Sequence, residues 1–300
     1  MTDAASLAPA VTRFRWLFVF LAGILLWVLS VVVTGLTGNP TLIPTVVLLG
    51  SFLVPATAVI YYLDHQTRVT ISAQRVLFAF LYGGVLGVLM AALLEGWLLQ
   101  DGPFLYLGVG LIEELAKMLA LIVAAWGIRQ FKMRDGIVLG AAVGFGFAAL
   151  ESSGYALNAM FTPHGLSLTN LVFAEVLRGV LAPLGHGLWT ALLGGVLFEA
   201  ASHTGQLRVS WRLIRFYLLV SVLHALWDSM RGIAIILTVL VTSRPAAFAG
   251  SLPRSDEVVG FAFLAFEFSG IAIVSAVGLL MLRSAWHRAQ RHEAPQLRDS

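Results

Sequence analysis

The sequence predicts an all-α membrane protein, a polytopic bundle of about eight transmembrane helices. Of its 300 residues, 59% are hydrophobic and 12% are charged, and the mean hydropathy is +0.88. Apolar segments fill nearly the whole chain, so we expect one transmembrane domain over residues 1–300. Cysteine is absent, which excludes disulfides, thiol catalysis and cysteine-ligated zinc.

Runs of about 20 or more mainly apolar residues predict the individual spans. They lie near residues 14–36, 41–63, 76–99, 104–128, 135–161, 168–202, 213–242 and 258–283. The first run follows Arg13 and Arg15, lacks a clear cleavage site and is too long for a signal-peptide core, so we expect it to remain as an anchor. The run 168–202 is too long for one upright helix and contains Pro183, which favours a kinked or re-entrant entry.

Positively charged residues fall in alternate loops. They follow spans two, four, six and eight: Arg68, Arg75, Arg129, Lys132, Arg134, Arg208, Arg212, Arg215, Arg283, Arg288 and Arg291. The loops near 37–40, 100–103 and 162–167 carry none. Both termini are therefore expected to be cytoplasmic, although Arg244 and Arg254 in the last outer loop depart from the pattern. The arginines are topology signals, and we expect no nucleic-acid partner.

Glu113 and Glu114 interrupt the otherwise apolar fourth run, and Lys117 follows one helical turn later. An Asp, Lys or Arg at mid-membrane costs roughly 2.5–3.5 kcal/mol, whereas each Leu, Ile, Phe or Val returns about 0.3–0.6 kcal/mol. Two adjacent carboxylates are hard to keep there for packing alone. They therefore predict a functional site.

Three further polar residues are expected at a similar depth. With a rise of about 1.5 Å per residue, Glu113 and Glu151 each lie roughly 13 Å from the outer ends of their spans. His224 lies about 16 Å above the inner start of its span, and His186 about 20 Å above the inner end of its own. We predict that these four helices bring their side chains into one site.

Supporting residues follow from local spacing. Lys117 shares a helix face with Glu113 and can keep one carboxylate ionised, and Asp228 shares a face with His224 and can orient its ring. Glycines at 136, 140, 144, 146, 185, 187, 194 and 195 permit close approach of spans five and six.

The remaining ionisable residues favour structural roles. Glu95, Glu175, Glu199 and His203 lie near span ends or beside Arg178, where snorkelling or a structural ion pair is expected. Glu267 lies deep in span eight without a local partner, and no role is assigned to it.

Two chemistries fit two histidines and several glutamates. In a general-base site, one carboxylate takes a proton from water while the histidines stabilise the oxyanion of an amide addition intermediate. In a zinc site, Glu151, His186 and His224 would bind the metal and leave a position for water, with Glu113 as the base. The sequence leaves both open.

The order of these motifs resembles the PrsW family of intramembrane proteases, which belongs to a larger group with the type II CAAX-prenyl endopeptidases and the bacteriocin-processing membrane proteases. The resemblance rests on LIEELAKML, GFGFAALES, GHGLWTALLGG and HALWDS, and it covers about residues 104–232. The wider group commonly has Arg after the glutamate pair, His in place of Glu151 and Asn in place of Asp228. These departures fit the PrsW branch.

The resemblance implies an intramembrane endopeptidase with its catalytic core at 104–232. Its substrate would be a single-pass or membrane-anchored protein, for example an anti-sigma factor, in the bacterial plasma membrane. Glu113 would activate water and Glu114 assist it. Glu151, His186 and His224 would complete the site, with Lys117, Asp228 and Arg178 in support and Zn²⁺ as the candidate cofactor.

Two other classes of function remain open at this stage. The wider superfamily includes a non-catalytic subunit of gamma-secretase, so the chain is alternatively a scaffold or substrate receptor. A proton-coupled transporter also places carboxylates and histidines at mid-membrane. Retention of both glutamates and both histidines favours catalysis.

Overall fold

The computed structural model describes residues 14–65, 70–243 and 257–292. Arg13, Arg68, Arg244 and Arg254, which enter the charge argument, lie outside these residues. Within the described part the chain forms nine α-helices: α1 (Arg15–Thr37), α2 (Ile43–His65), α3 (Ala73–Leu98), α4 (Leu105–Ala124), α5 (Met133–Met160), α6 (Leu168–Leu181), α7 (His186–Thr204), α8 (Trp211–Thr242) and α9 (Glu257–His292). The all-α prediction is confirmed.

Seven helical segments of the described chain are long and apolar enough to cross a membrane. They include the whole of Leu168–Thr204 as one segment. The span expected at 104–128 is not among them, because α4 carries three charges, on Glu113, Glu114 and Lys117. It packs between α3 and α8, so its charged face is covered by protein. This burial explains how so polar a helix is accommodated.

The outer surface of the bundle is apolar. Phe18 on α1, Leu36 on α1 and Phe261 on α9 are among many large hydrophobic side chains that are mostly exposed. Such a surface suits contact with lipid, where no hydrophobic effect favours burying it. The protein is therefore an integral membrane protein.

Serine and glycine residues define several helix ends. The side chains of Ser72, Ser167 and Ser210 accept hydrogen bonds from backbone N–H groups in the first turns of α3, α6 and α8. At the other end, α1 and α7 stop at Gly38 and Gly205, whose φ angles of 63° and 70° are left-handed. The sequence thus specifies where these helices begin and end.

The long segment 168–202 is divided at Pro183, as its length and proline predicted. A two-stranded antiparallel hairpin, β1 (Phe161–Thr162) and β2 (Gly165–Leu166), leads into it. α6 has 14 residues and so spans only about 21 Å. A 3₁₀ turn, Ala182–Leu184, follows. The next helix, α7, begins at His186, so this break places the histidine at a helix start inside the bundle.

α5 is the centre of the bundle, packed against α2, α3, α6 and α7. Every residue from Met133 to Ala149 is buried. A Cβ on Gly144 would meet the carbonyl oxygen of His186, and one on Gly146 would meet the carbonyl oxygen of Phe80. The glycines therefore allow α5 to approach the α7 and α3 backbones closely, as predicted for spans five and six.

The α5–α7 contact gives a test of this packing. A Cβ on Gly140 would lie 2.9 Å from the carbonyl carbon of Thr190, whereas one on Gly154 would meet no atom within 4 Å. We expect Gly140→Ala to destabilise the protein by about 1–3 kcal/mol through overpacking. Gly154→Ala, the same change on the same helix, is expected to be neutral. Thermal unfolding in detergent, followed by tryptophan fluorescence, would measure both. Equal stability of the two variants would contradict the packing.

Candidate active site

A cluster of carboxylates and two histidines lies where α4, α5, α7 and α8 meet. Glu113 is at its centre: its Oε2 atom lies 3.2 Å from Lys117 Nζ. The same oxygen lies 3.7 Å from His186 Nδ1 and 3.6 Å from His224 Nε2. Glu151 Oε2 lies 2.9 Å from His186 Nε2. The four side chains expected at a common depth therefore do lie together.

Lys117 is buried under this cluster together with Glu114. Both residues have no exposed surface, and Lys117 Nζ lies 2.7 Å from Glu114 Oε1. The ammonium also lies 2.9 Å from His186 Nδ1 and 4.3 Å from the centre of the Phe147 ring. A buried charge is stable only when it is paired and hydrogen-bonded. Lys117 meets this condition through contacts on three helices.

Glu151 is held by Arg178 of α6. Arg178 Nη2 donates to Glu151 Oε2 at 2.5 Å, and Arg178 Nε donates to the Ser152 hydroxyl at 2.9 Å. The guanidinium also lies 4.2 Å from the centre of the Tyr155 ring. A guanidinium held by three side chains keeps a fixed orientation. Arg178 thus positions Glu151 against His186.

The ring of His224 lies between two carboxylates. Its Nδ1 atom lies 3.0 Å from Glu114 Oε1, and its Nε2 atom lies 3.3 Å from Asp228 Oδ2. The Asp228 contact is the one predicted from the i,i+4 spacing. However, Nε2 is buried and makes no contact of hydrogen-bond geometry with any described residue. Its lone pair or proton is available to a further group.

Negative charge is in excess in this cluster. Its four carboxylates belong to Glu113, Glu114, Glu151 and Asp228, whereas its permanent cations belong to Lys117 and Arg178. Like charges at this distance repel strongly in a medium of low dielectric constant. Protons or a bound cation would relieve the repulsion.

Two cavities reach the cluster. The larger has a volume of about 550 Å³ and is bounded by Glu95, Glu113, Glu151, Tyr155 and Asp228, among other residues of α3, α4, α5 and α8. The smaller has a volume of about 70 Å³ and lies on the side of Arg178 and His186. Glu151, Tyr155 and Asp228 line both cavities. The larger cavity has room for a peptide segment, and the smaller one for water.

Three residues beside the cluster were not predicted from sequence. Ser152 and Tyr155 contact Arg178, and Glu95 lines the larger cavity instead of extending to the membrane surface. The i,i+4 spacing of Glu151 and Tyr155 was the one available signal. Glu95 carried none, because its part in the cavity depends on how α3 packs against α4.

The other ionisable residues have separate positions. Glu199 forms the expected structural ion pair, 3.0 Å from Arg212, and His203 is exposed at the end of α7.

Glu175 does not pair with Arg178; it is buried and accepts a hydrogen bond from the Trp27 indole at 2.8 Å. Glu267 is half-buried on α9 and lines neither of the two cavities.

Glu113, His186 and His224 form a candidate metal centre. Each offers one ligand atom, and these atoms lie within 4.8 Å of one another. Two histidines and one glutamate are the ligands of a known class of catalytic zinc site. The zinc ligands predicted from the sequence were Glu151, His186 and His224. In the structure Glu113 takes the place of Glu151 in this group. Glu151 instead contacts His186 through the ring nitrogen turned away from Glu113.

Comparison with known proteins identifies one family. A family model described as PrsW family intramembrane metalloprotease matches residues 72–250, more than half of the chain. No curated protein and no solved structure matches the chain significantly. The matched residues include the whole cluster around Glu113 and exclude α1 and α2.

The buried ammonium gives a test of the cluster's electrostatics. We expect Lys117→Met to destabilise the protein by about 3–5 kcal/mol, because it leaves buried carboxylates without their cation. Adding Glu114→Gln should recover part of this loss. Arg212→Gln, which removes a partly exposed ion pair, is the control and should cost about 0–1 kcal/mol. Reversible unfolding in mixed micelles would measure the free energies. A Lys117→Met protein as stable as the control would contradict the pairing.

Proposed function

Because the chain belongs to the PrsW family of intramembrane metalloproteases, we propose that it hydrolyses a peptide bond of a single-pass or membrane-anchored protein at the Glu113 cluster. The observation that carries this proposal is the position of Glu113. Its carboxylate faces both histidines and borders a cavity of about 550 Å³. A general base, a histidine able to donate to an oxyanion and room for a peptide thus meet at one place. We place the catalytic core within residues 104–232.

The residues of the chain divide the work of hydrolysis. Glu113 takes a proton from a water molecule in the cavity, and the water oxygen adds to the peptide carbonyl. His224 donates a hydrogen bond to the oxyanion that forms, from the Nε2 atom that has no hydrogen-bond partner among the described residues. His186 lies between Lys117 Nζ and Glu151 Oε2 and holds both beside Glu113. Glu113 then returns its proton to the amide nitrogen as the C–N bond breaks, which releases a carboxylic acid and an amine. Glu114, which contacts Lys117 and His224, assists by holding both in place.

The same residues fit a metal ion. His224 Nε2 is buried without a hydrogen bond to a described residue, and the second nitrogens of both histidines are held by Glu114 and Glu151. Carboxylates in these outer positions are typical of histidine metal ligands. Glu113, His186 and His224 would hold the ion; a bound zinc ion supplies Lewis acidity and makes its water more acidic. Lys117 Nζ contacts Glu113 Oε2 and His186 Nδ1, so a metal ion would compete with the ammonium for these two atoms.

The proposal predicts that Glu113→Gln abolishes cleavage. The amide preserves the volume but does not accept a proton from water, and loss of a general base typically costs about 10²–10⁴-fold in rate. The protein would be reconstituted into liposomes with a panel of tagged single-pass membrane proteins, and the fragments identified by mass spectrometry. Glu199→Gln, on α7 but in a partly exposed ion pair outside the cluster, is the matched control. Full activity of Glu113→Gln would rule out this role, and a wild-type protein that cleaves no panel member would count against proteolysis.

The metal set predicts a separate measurement. The double variant His186→Ala/His224→Ala should lose both activity and bound metal, whereas the wild-type protein should contain about one ion per chain. Elemental analysis of the purified proteins measures metal content directly, without reference to activity. His203→Ala, at the exposed end of α7, is the control and should keep its metal. A fully active, chelator-treated protein without metal would establish the glutamate mechanism instead.

A further inference from the structure

A second carboxyl group is buried away from the cluster, at Glu175 on α6. Only 3% of the residue is exposed. Its Oε2 atom accepts a hydrogen bond from Trp27 Nε1 at 2.8 Å, but Oε1 is buried and has no hydrogen-bond partner among the described residues. A buried polar atom without a partner is costly. It therefore indicates a position where a further donor binds.

Glu175 borders an apolar crevice between α1, α2 and α6. The crevice has a volume of about 470 Å³, and its walls include Phe20, Ile24, Leu53, Val54, Val176 and Val180. Glu175 and the indole of Trp27 are the polar side chains that line it. An apolar cavity of this size with one or two convergent polar groups is typical of a binding site.

The local sequence makes room for the carboxyl group. Gly50 of α2 faces it, and a Cβ at this position would lie 2.5 Å from both carboxyl oxygens. Any larger residue at position 50 would displace Glu175. The carboxyl group is thus seated on the backbone of α2, beside the crevice and not in the lipid.

The depth of the crevice limits what can bind there. Trp27 is twelve residues into α1, which begins at Arg15, and so lies about 18 Å along a helix of roughly 35 Å. Lipid head groups remain at the membrane surface, and acyl chains carry no hydrogen-bond donor. A donor at mid-membrane belongs instead to a side chain of another transmembrane helix, such as the hydroxyl of Ser or Thr.

The crevice is separated from the proposed active site by α6 alone. Val176, Gly179 and Val180 face the crevice. Arg178 and Leu181, on the other side of the same helix, line the small cavity beside His186. A helix is about 10 Å across, so an occupant of the crevice would lie within one helix diameter of that cavity.

We propose that this crevice binds the transmembrane helix of a substrate, with apolar side chains in the crevice and one hydroxyl or amide donor on Glu175 Oε1. The inference rests on the proposed function, because it assigns the bound helix to the protein that is cleaved. Two of its three walls, α1 and α2, lie outside the residues that match the family model. The crevice would therefore select substrates through a part of the chain that the family match does not cover.

Binding of a synthetic helix tests this proposal without depending on cleavage. The full-length protein carrying Glu113→Gln would be placed in liposomes with a dye-labelled Leu/Ala helix that has Ser or Ala at its centre. Energy transfer between the protein and the dye on the helix would give the affinity of the protein for the Ser helix and for the Ala helix. Since an interhelical hydrogen bond is worth about 0.6–1.7 kcal/mol, we expect the Ser helix to bind about three- to eighteenfold more tightly. Glu175→Leu should remove this difference, and Glu175→Gln, which keeps an acceptor, should retain it.

A second pair of variants keeps the test decisive if Glu175→Leu does not fold. Val180 is 67% exposed and lines the crevice, whereas Leu177 is 37% exposed and does not. Val180→Trp should fill the crevice and abolish binding of both helices, and Leu177→Trp should leave binding unchanged. Equal affinity for Ser and Ala helices, or equal binding by the two Trp variants, would overturn the proposal and leave a crevice filled by acyl chains. Because the Glu113→Gln protein is used throughout, this outcome is independent of whether the wild-type chain is a protease.

Discussion

The ion pairs of Lys117 are the interaction on which the centre of this protein depends. The ammonium has no exposed surface and contacts Glu113, Glu114 and His186. Without it, two adjacent carboxylates would be buried together on one helix at a prohibitive cost. With it, α4 is able to lie inside the bundle. Both histidines then lie beside Glu113, so the residue that balances the charge of α4 also sets the geometry of the site.

Much of the site was predictable because helical rise converts position in sequence into depth. Glu113, Glu151, His186 and His224 were expected at one level, and they meet. The partner of each residue was predictable only within a helix turn, as for Asp228 and His224.

Contacts between helices, such as Trp27 with Glu175, depend on the rotation of each helix about its axis. Apolar faces that contact lipid on one side and protein on the other do not reveal that rotation.

The break at Pro183 explains why the longest apolar run could not be interpreted as one helix. Its two halves differ in role: α6 presents Arg178 to Glu151, whereas α7 begins with His186. A continuous helix would place these residues eight positions apart on the same rod. The break allows the guanidinium and the imidazole to approach one carboxylate from two directions. The proline was visible in the sequence, but the shared carboxylate was not.

The close approach of α5 and α7 has a mechanical consequence. Glu151 and His186 belong to helices whose backbones touch at Gly144, so their separation is fixed by main-chain contact and not by compressible side chains. Bilayers of different thickness are accommodated by tilting helices that face lipid. α1 is such a helix, because Thr34 is its one buried residue. Tilting of α1 would change the outline of the molecule while the α5–α7 pair keeps its spacing. The reactive centre is thereby insulated from the thickness of the membrane around it.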